Sequence, residues 1–143
     1  MQGNSTSDYK KSYTEKNVIG RGNFGSATLV VPNSDPNLIY VAKKIHIGNM
    51  NAKEQKSVLL EAKLLKDLDH PHIVDYVDSF IEDGFFIIIM EYCEEGDLAH
   101  HIKQMVKKNE RFSEELIMNW FLQMVFALGF VHSRKILHRD IKT

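Results

Sequence analysis

The chain has 143 residues, enough for one domain with a sizeable hydrophobic core. Apolar residues make up 43% and charged residues 26% of it, a composition typical of a folded globular protein rather than a disordered one. The formal net charge of −1 gives no global field that would attract nucleic acid or a membrane, and neither is predicted as a partner.

The sequence carries no pattern of export, disulfide bonding or zinc binding. Cys93 is the single cysteine, so no intrachain disulfide can form. The start lacks the pattern of a secretory signal, and residues 1–12 are predicted to be a disordered tail of a cytoplasmic protein. The longest apolar run, Phe85 to Met90, is too short to span a bilayer. Seven histidines include adjacent His100 and His101, but no cysteine or acidic partner stands at ligand spacing, so no metal site is predicted.

The segment from Tyr13 to Met90 has mostly the two-residue period of β-strands, with one helix inserted. The predicted strands are 17–20, 26–31, 38–47, 73–81 and 85–92, and the last two form a hairpin. Asn51 is predicted to cap the helix, which continues to about Leu68 and ends before His70-Pro71.

After Tyr92 the period becomes helical. Asp97 is predicted to cap one helix through Val106, and Ser113 to cap a longer one. The spacing of apolar residues in the longer helix predicts that it is deeply buried; these are Ile117, Trp120, Phe121, Met124, Val125, Leu128 and Val131. The sequence therefore predicts an α+β fold with an antiparallel sheet lobe at 13–92 and the first helices of a second lobe at 93–143.

A glycine loop stands between the first two predicted strands, at Gly20-Arg21-Gly22-Asn23-Phe24-Gly25. A dinucleotide-binding unit would place a helix after such a loop. The following Thr28 to Pro32 is β-branched, apolar and ended by proline, which favours strand–loop–strand instead. Such a hairpin folds over phosphates because glycine lets backbone N–H groups approach closely, while Ile19 and Ala27 would form apolar walls for an adenine ring. A glycine hairpin without a ligand is the alternative.

Lys43 lies within an apolar strand and shares its face with Val41 and Ile45. An ammonium group on an inward face requires an anionic partner. Lys44 also fits the pattern Val-Ala-x-Lys, but strand alternation points it the other way, where we expect it to be solvated. Alternation therefore favours Lys43 as the phosphate-binding lysine.

Glu61 is the predicted partner of Lys43. It falls inside the apolar stripe Val58, Ala62, Leu65 of the predicted helix, and a carboxylate in such a stripe is expected to be paired. A glutamate at the exposed edge of the stripe is the alternative. The pair would hold Lys43 against the α- and β-phosphates of ATP.

Two further stretches complete the predicted site. Backbone groups of Met90-Glu91-Tyr92-Cys93 can hydrogen-bond an adenine edge where the strand ends, and Cys93 is interpreted as an ordinary connector residue. His138-Arg139-Asp140 follows the long helix, and Asp140 is placed to accept the proton of a substrate hydroxyl. Lys142 can neutralise charge on the transferred γ-phosphoryl group.

Together these motifs resemble those of the eukaryotic serine/threonine protein kinases, over about residues 13–143. Three stretches are similar in sequence to motifs of the NIMA-related (Nek) kinases: Tyr40 to Ile45, Met90 to Leu98 and Ile136 to Lys142. The resemblance implies phosphoryl transfer from MgATP to a Ser or Thr hydroxyl of a protein substrate. It also implies nuclear or cytoskeletal association in addition to the cytoplasm.

The resemblance assigns roles to particular residues. It implies catalytic roles for Asp140, Lys142, Lys43 and Glu61, with Met90 as gatekeeper. It implies nucleotide contacts from Ile19, Gly20, Arg21, Gly22, Asn23, Phe24, Gly25, Ser26, Ala27, Val41, Lys43, Met90, Glu91 and Cys93.

The same resemblance implies that both protein ligands for Mg²⁺, an Asn shortly after Asp140 and an Asp-Phe-Gly segment, would follow Thr143. From this the expectation is little turnover for the 143 residues alone. The apolar stripe from Ile117 to Val131 would also lack the helices that should cover it, which predicts a large apolar patch and low solubility. An inactive, truncated kinase that binds nucleotide or partners is the alternative function.

Overall fold

A computed structural model describes residues 8–22, 25–139 and 141–142, without the side chain of Glu61. The helices among these residues are α1 (Tyr9–Ser12), α2 (Ala52–Lys66), α3 (Leu98–Lys108) and α4 (Glu114–Ser133). The strands are β1 (Tyr13–Gly22), β2 (Gly25–Pro32), β3 (Tyr40–His46), β4 (Tyr76–Glu82) and β5 (Phe85–Glu91).

The five strands form one antiparallel sheet in the order β1-β2-β3-β5-β4. Each sequential pair except β3 and β4 is adjacent, because α2 lies between these two in the chain. The predicted α+β fold, an antiparallel sheet followed by helices, is confirmed.

Alternate residues of the strands supply two separate cores, one on each face of the sheet. On one face Ile47, Phe86 and Ile88 pack with Ala62 of α2. On the other face Val30, Ala42, Phe80, Ile87 and Ile89 pack with Tyr9 of α1. Burial of apolar surface on both sides explains why β5 has four consecutive buried residues rather than an alternating pattern.

The predicted disordered tail is wrong for residues 9–12. They form a helical turn, α1, and the Tyr9 side chain is only 2% exposed. Tyr9 stacks on Tyr13 with 6.0 Å between ring centroids and lies 5.7 Å from the ring of Phe80. One buried aromatic side chain therefore holds the segment before β1 against the sheet. The polar composition of residues 1–12 gives no indication of this contact.

The predicted cap of α2 is confirmed. The Asn51 side chain accepts hydrogen bonds from the backbone N–H groups of Lys53 and Glu54, each at 3.0 Å. The Glu54 carboxylate in turn accepts from the Asn51 N–H at 2.9 Å, which completes a capping box. The helix begins with its first-turn polar groups satisfied and ends at Lys66, two residues before the predicted end.

The chain divides into two compact units. The first comprises the residues up to Asp67 together with Asp75–Tyr92, and the second comprises Leu68–Val74 and the residues from Cys93 onward. The change from one unit to the other after Tyr92 falls where the period of the sequence changes from two to helical.

Within the second unit α3 and α4 begin at the predicted caps. The Asp97 carboxylate accepts from the N–H of His100 at 2.7 Å, and Ser113 Oγ accepts from the N–H of Leu116 at 3.2 Å. The segment before β4 packs on α4, with the His70 and Phe130 ring centroids 4.8 Å apart.

The predicted deep burial of α4 is wrong in this structure. Phe121 is 51% exposed and Phe126 60% exposed, and Val131 is the buried residue of the helix. Trp120 and Phe130 make ring contacts with other described residues. The exposed apolar residues of the helix form the broad apolar patch that was expected. By length and a mean hydropathy of 1.4, α4 is also suited to cross a membrane, a test that core helices of globular domains pass as well.

Candidate functional site

The glycine loop is the tip of the hairpin formed by β1 and β2. Gly20 pairs with Ala27, Arg21 with Ser26, and Gly22 with Gly25. A strand follows the loop, so the strand–loop–strand prediction is confirmed and a dinucleotide-binding turn, which needs a helix there, is excluded. Asn23 and Phe24, at the tip, lie outside the described residues.

Gly25 and Gly22 of this hairpin differ in the space that surrounds them. A Cβ on Gly25 would lie 1.7 Å from the backbone oxygen of Lys44, so only glycine lets β2 approach β3 there. A Cβ on Gly22 would meet nothing within 4 Å. The space beside Gly22 is therefore open to a ligand, and the backbone there can be approached closely.

Strand alternation separates the two lysines of β3 as predicted. Lys43 is exposed and pairs with Ala27 on β2 and with Ile88 on β5, on the face where α2 packs. Lys44 lies on the opposite face, but the expectation that it is solvated is wrong. Its side chain is 21% exposed and its Nζ lies 2.5 Å from Oε1 of Glu15.

Lys43 and the glycine hairpin line a cavity of about 900 Å³, within the size range of small-molecule sites. The predicted site residues that it brings together are Gly20, Arg21, Gly22, Gly25, Ser26, Ala27 and Lys43. The ammonium of Lys43 and the guanidinium of Arg21 are the cations of this set. Arg21 and Lys44 both pair with Ser26, so Arg21 belongs to the row on the face opposite Lys43. An anion on the Lys43 side of the hairpin would meet the charge of Lys43 and the open backbone at Gly22.

The structure adds lining residues that sequence reasoning did not find. They come from Lys44 and Ile45 of β3, the following turn and the first turns of α2, and are Lys44, Ile45, Asn49, Met50, Glu54, Ser57 and Val58. Glu54, Ser57 and Val58 follow the spacing i, i+3, i+4, which places them on one side of α2. Position 61 continues the same spacing. The predicted role of Glu61 could therefore have indicated that Glu54, Ser57 and Val58 face the same site.

Other predicted nucleotide contacts lie outside this cavity. Val41 is buried and pairs with Met90, while Ile19 is 49% exposed on β1. Glu91 pairs with Tyr40, and its N–H donates to the carbonyl oxygen of Asp75 at 2.9 Å. Their assignment to the adenine end of a nucleotide stays a prediction.

The remaining predicted site residues belong to parts that the structure leaves undescribed or to the second unit. The side chain of Glu61 and all of Asp140 lie outside the described residues, so the Lys43–Glu61 pair stays a prediction. Cys93 and Lys142 are exposed residues of the second unit. Arg139, directly before Asp140, has a left-handed φ of 63°, and such strain is concentrated at functional sites.

Among the described residues no group of three His, Cys, Asp or Glu side chains is placed to hold a metal ion. Lys43 and the backbone N–H groups of the hairpin can bind an anion and neutralise its charge.

Comparison with known proteins gives one consistent result. A sequence model described as "Protein kinase domain" matches residues 13–143. The chain is 46% identical over 131 residues to the probable serine/threonine-protein kinase nek3 of Dictyostelium discoideum, covering 92% of this chain and 12% of that protein. It is 44% identical over 133 residues to the serine/threonine-protein kinase Nek1 of Mus musculus, covering 93% and 11%. Nek3 of Mus musculus is 40% identical over 132 residues, covering 92% and 25%. The chain thus spans at most a quarter of the length of these three relatives.

Proposed function

Because the chain belongs to the protein kinase family, with similarity to its Nek members, we propose that it acts in the transfer of the γ-phosphoryl group of ATP to a Ser or Thr hydroxyl of a protein. The observation that carries this proposal is the cavity in which Lys43 lies beneath the glycine hairpin. Its volume of about 900 Å³ can accommodate a nucleotide.

The first unit would bind and orient the nucleotide. Open space at Gly22 lets phosphate oxygens approach backbone N–H groups, and Lys43 supplies a positive charge on the same side. Val41 and Met90, paired across β3 and β5, would contact the adenine ring. These contacts would hold the triphosphate in one geometry, which is the larger part of catalysis in phosphoryl transfer.

The motif at the end of the second unit would supply the groups that act on the transferred phosphoryl. Asp140 would accept the proton of the substrate hydroxyl as its oxygen attacks the γ-phosphorus, and Lys142 would neutralise charge on the phosphoryl oxygens. Mg²⁺ would supply additional charge neutralisation when it is bound with ATP.

The test is to measure nucleotide binding and turnover separately. Isothermal titration calorimetry gives the Kd for ATP, and transfer of radiolabelled phosphate to a Ser/Thr peptide gives the turnover. Lys43→Met should weaken ATP binding by about tenfold or more, because a charge-assisted contact is worth roughly 1.5–3 kcal/mol. Lys63→Met, at an exposed position of α2, is the matched control and should leave the Kd unchanged.

The results separate the candidate functions. ATP binding that depends on Lys43, together with turnover that is lost in Asp140→Asn, supports the kinase. Lys43-dependent binding without any turnover indicates a nucleotide-binding module instead. Equal ATP affinity in Lys43→Met and the wild type would exclude the assigned phosphate site.

A further inference from the structure

The face of the sheet opposite Lys43 is covered by the helical turn Tyr9–Ser12, which we call the N-terminal brace. Tyr9 packs in one core cluster with Val30 of β2, Ala42 of β3 and Phe80 of β4. One side chain therefore contacts strands on both sides of β3. Neither the predicted site nor the proposed reaction assigns any role to this turn.

The brace is also attached by polar contacts at both of its ends. The carbonyl oxygen of Ser12 accepts from the N–H of Asn33 at 2.9 Å, and that of Lys11 accepts from Asn33 Nδ2 at 2.8 Å. Lys10 Nζ lies 2.5 Å from Asp83 Oδ2 and 3.6 Å from Glu82 Oε1, in and beside the turn joining β4 to β5. The brace thus connects the turn after β2 to the far edge of the sheet.

Lys44 links the brace to the strand that carries Lys43. Its Nζ lies 5.3 Å from the centre of the Tyr9 ring and 2.5 Å from Oε1 of Glu15. Glu15 belongs to β1, the strand that continues into the glycine hairpin. Tyr9 and Glu15 together hold the side chain of Lys44, which joins β1 to β3 across β2.

We infer that Tyr9 and Glu15 are positioning residues for the nucleotide site, acting through Lys44 to hold the glycine hairpin and Lys43 in the arrangement that binds phosphate. The inference rests on the proposed function. Neighbouring residues of a strand point to opposite faces, so fixing Lys44 on one face limits the rotation of β3 that would move Lys43 on the other. The Glu15–Lys44 contact likewise limits movement of β1 relative to β3.

The same contacts make the brace releasable. Oε2 of Glu82 is buried without a hydrogen-bond partner among the described residues, which costs free energy in the docked state. The side chain of Lys10 is 68% exposed, so its ion pairs are weakened by salt. Apolar burial of Tyr9 and the two hydrogen bonds from Asn33 therefore keep the brace docked.

The experiment compares the ATP affinity of variants of Tyr9 and Glu15 at a temperature where each variant is folded. Tyr9→Ala removes the ring, whereas Tyr9→Phe keeps the ring and deletes only the phenol oxygen. We expect roughly three- to tenfold weaker ATP binding for Tyr9→Ala and Glu15→Gln, and wild-type affinity for Tyr9→Phe. Lys11→Ala is the control within the brace, because Lys11 is exposed and pairs only with Asp8 among the described side chains.

Thermal unfolding, measured on the same samples, separates positioning from a merely structural role. If Tyr9→Ala lowers the Tm but leaves the ATP Kd unchanged, the inference is overturned. If the wild type does not bind ATP, the proposed function fails, and amide hydrogen exchange then decides the inference. Faster exchange in β1, β2 and β3 of Tyr9→Ala, but not of Tyr9→Phe, would support the brace. Unchanged exchange there would reject it.

Discussion

Lys43 lies directly opposite Ala27 in the antiparallel pairing of β3 with β2. Ala27 itself pairs with Gly20 on β1, so the three residues form one row across three strands. The row places an ammonium group beside the glycine hairpin through backbone pairing alone. A site built on paired strands holds its geometry better than one built on loops, which suits the positioning that phosphoryl transfer requires.

Gly25 is predicted to be the least replaceable glycine of the hairpin. In Gly25→Ala the new Cβ would lie 1.7 Å from the backbone oxygen of Lys44, so β2 and β3 must separate. We expect a loss of at least about 2 kcal/mol in the free energy of unfolding, measured by urea denaturation. Gly22→Ala is the matched control, because its Cβ meets nothing within 4 Å, and it should stay within about 1 kcal/mol of the wild type. Equal losses in both variants would contradict this account.

The cap of α2 can be tested by Asn51→Ala. The substitution leaves the backbone N–H groups of Lys53 and Glu54 without their side-chain acceptor. We expect a loss of about 1 kcal/mol, within the usual range for caps, seen as a lower urea midpoint with an unchanged m-value. Lys56→Ala, at an exposed position of the same helix, should have little effect. A midpoint unchanged by Asn51→Ala would show that the capping box does not stabilise the helix.

The core of the sheet predicts a sharp contrast between two isoleucines. Ile89 of β5 is 0% exposed, whereas Ile81 of β4 is 63% exposed. Ile89→Ala should cost roughly 2–5 kcal/mol through lost burial and the cavity left behind. Ile81→Ala should cost no more than about 0.5 kcal/mol. Calorimetric melting of the two variants checks the difference, and similar Tm values would reject the assigned burial.

Stability is predicted to fall at alkaline pH because of Tyr9. Burial, followed by the negative charge of Glu15, raises the pKa of the Tyr9 phenol above its ordinary value. A raised pKa in the folded state means that this contribution is fully present below the unfolded value of about 10 and is lost as the pH rises above it. The Tm should therefore decline from pH 9 to pH 11 with a steeper slope in the wild type than in Tyr9→Phe.

The comparison with Tyr9→Phe separates the effect of the Tyr9 phenol on the Tm from the effects of other groups that titrate at alkaline pH. Burial also raises the pKa of Tyr13, and the Asp83 carboxylate raises the pKa of Lys10. The Tm of Tyr9→Phe should therefore still decline at alkaline pH, but less steeply than the Tm of the wild type. Equal slopes in the wild type and Tyr9→Phe would show that the phenol does not titrate differently in the folded state.

The regular elements could be predicted because their signals are local. The cap at Asn51, the caps at Asp97 and Ser113 and the two-residue alternation of β3 each depend on neighbouring residues and agree with the structure. The same alternation separated Lys43 from Lys44 correctly. The failures were of another kind: Tyr9 in a polar tail, the paired state of Lys44 and the exposure of α4.

The residues alone determined the family, the succession of β1 to β5 and α2 to α4 along the chain, and the placement of Lys43 on a strand next to a glycine hairpin. Periodicity, capping and turn chemistry act over a few residues, so they can be read without coordinates. Only the tertiary structure decided that Tyr9 closes the far face of the sheet, that Glu15 reaches Lys44 and that the first turns of α2 line the cavity. Those contacts join residues far apart in the chain, and their energies depend on which surfaces the folded backbone brings together.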